Sequence, residues 1–120
     1  MEIPFEEIMS KGEYAYQKPQ TRLMPYAGYV SSWADKSESP RNKAILWVLS
    51  ASAYYDAGHP SIARSELDKI SDPLILPVDM LYKYCSLARK IDPEWKEVMR
   101  FYSAIRLLAM ISHNPKPITE

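Results

Sequence analysis

The sequence predicts an all-α chain, about six helices in three antiparallel hairpins, in a single domain spanning residues 1–120. Three observations carry this expectation. Apolar residues recur at helical spacing between prolines. Ser-Pro and Asp-Pro steps stand where helices would begin. No run alternates apolar and polar residues as a half-buried strand would; Leu74-Ile75-Leu76 is short and proline-bounded.

The elements follow in order. Phe5, Ile8 and Met9 mark an opening helix reaching about Tyr16. Leu23, Tyr26, Ala27, Val30 and Trp33 make the stripe of a second, with Pro25 placed in its first turn, where a missing N–H costs little. Ser39 caps the third and Pro40 takes its first position. That helix, from Arg41 to Ala57, is apolar nearly all round, with Ile45, Leu46, Trp47, Val48, Leu49, Tyr54 and Tyr55. Such a helix sits in the middle of a fold or binds something. Gly58 stops it and Pro60 opens the fourth, with Ala63, Leu67 and Ile70 facing inward. Arg64 with Asp68, and Glu66 with Lys69, read as surface pairs worth a few tenths of a kcal/mol. Asp72-Pro73 and Pro77 break the chain again. Val78, Leu81, Tyr84, Cys85, Ala88 and Ile91 form the fifth stripe. Asp92-Pro93-Glu94 starts a last helix running to about Ser112, with Trp95, Val98, Met99, Tyr102, Ile105, Leu108 and Ala109 inward. Residues 114–120 read as a flexible tail.

Composition excludes several functions. Fifteen basic and fifteen acidic residues leave no net charge, so no long-range field draws nucleic acid or an anionic membrane. A lone cysteine cannot make an internal disulfide, and three glycines are too few for a Gly-rich phosphate loop. Met1 to Ser10 holds three glutamates and no basic residue, unlike a secretory signal. The most apolar window, Ala104 to Ile111, contains Arg106 and is too short to span a bilayer, which takes ~20 residues. A cytoplasmic protein is the expectation.

No catalytic chemistry is legible, so an enzyme is not expected. His59 and His113 are far apart and lack ligands at metal spacing, so neither a metal site nor any other cofactor is expected. Cys85, on an inner stripe, reads as an inert core thiol. Glu6-Glu7 and Asp92, Glu94 and Glu97 lie at helix starts, where the dipole accounts for them. Lys83 with Tyr82 would be the place for single-stranded nucleic acid, but basic residues are dispersed among acids, and no nucleic-acid partner is expected.

Trp47, Ala51, Tyr54, Gly58 and Ala63 fall at the spacing of a tetratricopeptide repeat (TPR), and the segment 44–73 resembles one. Ser50 stands where that pattern has Leu, and the closing Asp72-Pro73 comes two residues early. The resemblance implies that Trp47 and Tyr54 fill the hairpin and that Ala51 and Ala63 let the helices approach. It also implies a right-handed superhelix, since one hairpin cannot bury its own faces and three repeats of roughly 34 residues fit the chain. TPR-like proteins line a concave groove with the first helix of each hairpin. Here that face would carry Ile45, Val48, Leu49, Ser52 and Tyr55, joined by Tyr82. It lacks the Lys, Arg and Asn of family members that clamp a C-terminal carboxylate. An apolar groove suits the apolar face of a partner's amphipathic helix, or an extended segment; the same side chains could equally be core under a neighbouring hairpin.

The implied function is a non-catalytic protein–protein interaction module, a small adaptor or chaperone. The hairpin from Trp47 to Ala63, followed by a proline-bounded helix with Leu81, Tyr84 and Cys85, is also similar in layout to the needle-subunit chaperones of bacterial type III secretion, which work with a small co-chaperone. The other reading is a structural subunit whose apolar faces close a homodimer.

Overall fold

A computed structural model describes residues 2–95 together with Ala104 and Leu108. The described residues are helical, with no strand: α1 (Phe5–Gln17), α2 (Pro19–Lys36), α3 (Pro40–Asp56), α4 (Pro60–Asp68), a short 3-10 turn (Pro73–Ile75) and α5 (Val78–Ile91). Of the expected last helix, Asp92 to Trp95 are described and form a turn rather than a helical start, and Ala104 and Leu108 are helical; the rest of it and the tail lie outside the described residues. Leu108, expected to face inward, is 47% exposed.

Proline sets the helix starts. Pro19, Pro40 and Pro60 occupy first-turn positions of α2, α3 and α4, where no intrahelical N–H bond is lost. The Ser39 hydroxyl accepts the Asn42 N–H at 3.2 Å, the expected cap. Pro25 corrects the sequence reading. The helix begins at Pro19, before its apolar stripe, so Pro25 lies inside α2 and not in its first turn. An interior proline forfeits one backbone bond, a cost of ~3 kcal/mol or more. Packing on both α1 and α3 holds α2 helical through it.

α1 and α2 run antiparallel. The Tyr26 hydroxyl donates to the Ile8 carbonyl at 2.9 Å, and Arg22 Nη1 donates to the Tyr14 carbonyl at 3.1 Å. Gly12 permits their close approach: a Cβ there would stand 2.6 Å from the Tyr26 hydroxyl. α3 and α4 also pair antiparallel, with Ser50 opposite Glu66 and Trp47 opposite Lys69. Gly58, at φ +89°, makes the turn between them in a conformation that other residues rarely adopt.

α3 is the centre. It packs against α2, α4, α5 and the 3-10 turn, which explains why its sequence has no polar face. Ala44, Leu46, Trp47, Val48, Ala51 and Ala53 are all buried. Ala27, Ala34, Ala63 and Ala88 are fully enclosed around it, bringing the helix backbones close.

Two charged contacts differ from the surface pairs expected. Glu66 is only 3% exposed. Its Oε1 lies 3.3 Å from the Ser50 hydroxyl and its Oε2 accepts from Lys69 Nζ at 2.6 Å. The small Ser50 side chain on α3 leaves a buried carboxylate room and offers it a hydroxyl. Arg64 pairs with Asp92 as well as Asp68, and its guanidinium stacks 4.5 Å from the Trp95 ring centroid. The hydrogen bond from Arg64 holds the Asp92 carboxyl below its usual range, helped by the Glu94 N–H that Asp92 caps.

Candidate functional site

A cleft of about 570 Å³ opens between α1, α3 and α5. α1 contributes Tyr16; α3 contributes Ser52, Tyr55 and Asp56 from its last turns. α5 forms the opposite wall with Tyr82, Lys83, Ser86, Leu87 and Lys90. These α5 positions are spaced three and four apart, so they share one face.

The Tyr16 hydroxyl donates to Asp56 Oδ2 at 2.6 Å and ties α1 to the end of α3. Burial raises the Tyr16 pKa, the Asp56 carboxylate raises it further, and the Ser52 hydroxyl opposes them. Tyr16 therefore stays a neutral donor at physiological pH, and Asp56, the one acidic residue among the described lining residues, accepts its hydrogen bond. Lys83 and Lys90 make no ion pair or hydrogen bond among the described residues. Hydroxyls, aromatic rings and two ammonium groups dominate the walls.

The structure brings three of the six expected site residues together here: Ser52, Tyr55 and Tyr82. Ile45 and Leu49 do not line the cleft; they are half-buried and pack against the core earlier on α3. Val48 is fully enclosed, because α3 is packed by helices on several sides, and it is core. The expected groove was apolar, whereas the cleft mixes aromatic and aliphatic surface with hydroxyls, one carboxylate and two ammonium groups. Tyr16, Asp56, Lys83, Ser86, Leu87 and Lys90 were missed. The signal for the lysines is the i, i+7 spacing of Lys83 and Lys90, beside the inner stripe of α5.

A second cleft, of about 330 Å³, lies between α1 and α2. Tyr14, Tyr26, Tyr29 and Pro25 wall it. Its two cations already have partners: the Arg22 guanidinium lies 3.7 Å from the Tyr14 ring centroid, and Lys11 pairs with Glu7 and lies 5.1 Å from the Tyr29 ring. It offers aromatic surface with less unspent polar capacity.

Neither cleft holds an arrangement of nucleophile and base. Among the described residues no group of three His, Cys, Asp or Glu side chains could hold a metal ion, and no helix is long and apolar enough to cross a membrane. Cys85 is fully buried, and burial pushes its thiol up to about 11. At pH 7.5 the reactive thiolate is therefore scarce as well as hidden. Native protein treated with a maleimide should stay unlabelled at Cys85 under conditions that label the urea-unfolded chain within minutes. Equal labelling of both would show that the thiol is accessible.

Comparison with protein-family models, with curated proteins and with solved structures gave no match to this chain.

Proposed function

We propose that this chain is a non-catalytic protein-binding module, a small TPR-like adaptor or chaperone that takes a segment of a partner protein into the α1–α3–α5 cleft. The carrying observation is the position of that cleft. It is walled by α1, α3 and α5, alternate helices of the chain, and in a superhelix of helical hairpins alternate helices line the concave surface. The same reading takes the Trp47-to-Ala63 spacing as one repeat, α1 with α2 as the repeat before it, and α5 as the start of a third. A chaperone for a polymerising secretion subunit is a narrower form of this proposal, and closure of a homodimer is its alternative.

The test is affinity purification from the native host beside a thermal melt, with wild type and Tyr55→Ala. Tyr55 lines the cleft and is only half-buried, so truncation should leave the melt within a few degrees of wild type. A partner captured by wild type should be lost with the variant. A partner retained by Tyr55→Ala would move binding away from the cleft. Light scattering that finds a dimer at low concentration, dissociated by the same substitution, would favour self-association.

A further inference from the structure

We propose that the segment taken by this cleft is acidic, with carboxylates facing Lys83 and Lys90 and an apolar side chain laid over Tyr82 and Val78. This rests on the reading of the cleft as a protein-binding groove. Charge complementarity carries the inference. Lys83 and Lys90 are two turns apart on one face of α5, about 10 Å along its axis, and both line the cleft. Neither has an ionic partner among the described residues, whereas Lys11, Arg64 and Lys69 are each paired with a carboxylate. Asp56, across the cleft, keeps its charge while accepting from the Tyr16 hydroxyl, but it forms no ion pair with Lys83 or Lys90, so both ammonium groups remain available to a ligand's carboxylates.

The apolar part of the proposal comes from the same face. Val78, Tyr82, Ser86 and Lys90 follow at four-residue intervals, so α5 presents a stripe that passes from apolar to cationic along its length. Val78 is 54% exposed and Tyr82 42% exposed. A segment matching this stripe carries an apolar residue at one end and acids toward the other. Two ammonium groups on a chain without net charge are too few to hold a phosphate backbone firmly, which favours an acidic peptide over nucleic acid.

The experiment selects from a display library of random short peptides on the full chain, sequences the enriched pool and measures one selected peptide by fluorescence anisotropy. A fluorescein-labelled oligothymidylate is the second probe. The enriched pool should be rich in Asp and Glu. Its binding should weaken about tenfold or more when Lys83→Glu is combined with Lys90→Glu, and also on raising salt. The double variant exchanges exposed side chains of α5, and its melt verifies that it remains folded. Enrichment without acidic bias overturns the inference and leaves the binding groove standing. No enrichment at all overturns both. Oligothymidylate bound more tightly than any selected peptide, and released by the double variant, overturns it in favour of nucleic acid.

Discussion

Val48→Asp should abolish the cooperative unfolding transition, or lower its midpoint so far that the chain is largely unfolded at room temperature. Val48 has no exposed surface. An ionised carboxylate there would lose its water and gain no partner, at a cost of several kcal/mol, and a protonated one would still be a polar group in an apolar site. Against a total stability of ~5–15 kcal/mol for a domain, that loss is decisive. Ser52→Asp is the control. It lies one turn further along α3, in the cleft, where a carboxylate can stay wet and its i, i+4 repulsion with Asp56 costs only a few tenths of a kcal/mol. Far-ultraviolet circular dichroism during urea titration reads both. The expected pattern is a lost transition for Val48→Asp and a nearly unchanged one for Ser52→Asp. A near-native transition for Val48→Asp would place that side chain at the surface and restore the apolar groove expected from sequence.

The contrast between these neighbouring positions shows where sequence reasoning succeeded and where it stopped. Helix boundaries were legible because capping and proline chemistry are local. Ser39-Pro40, Gly58 and Pro60 act within a turn of themselves, and the structure places α3 and α4 where they point. Pro25 misled for the same reason: a local rule put it at a helix start, and packing from α1 and α3 overrode the rule. The site was less legible because a helix that is apolar all round has no periodic signal to separate core from groove. Only its last turn, with Ser52, Tyr55 and Asp56, opens onto the cleft. The cationic wall comes from α5, more than twenty residues further along the chain, and only tertiary packing sets it against Tyr16 and Asp56. Glu66 illustrates the limit most plainly. Its i, i+3 relation to Lys69 looks like a solvated pair, and nothing but the unexpected Ser50 hints that it is buried.

Trp47→Ala should destabilise the chain by ~3–5 kcal/mol, the range for truncating a buried aromatic side chain. Trp47 is 5% exposed and its indole fills the space between α3 and α4. The loss combines forfeited apolar burial with the cavity left behind in a core that relaxes only partly. A second contribution is ionic. Lys69 Nζ lies 4.2 Å from the indole ring centroid while pairing with Glu66, so the ring helps hold the ammonium that balances a buried carboxylate. The cation–π part is small, ~0.5–1 kcal/mol for a half-exposed lysine, so packing should dominate. Trp47→Phe separates the two, because it keeps an aromatic face and much of the volume and should lose clearly less than Trp47→Ala. Chemical denaturation of both variants beside wild type gives the comparison. A cost below ~1 kcal/mol for Trp47→Ala would mean that the indole is not the wedge of this hairpin, and the repeat spacing from Trp47 to Ala63 would lose its physical basis.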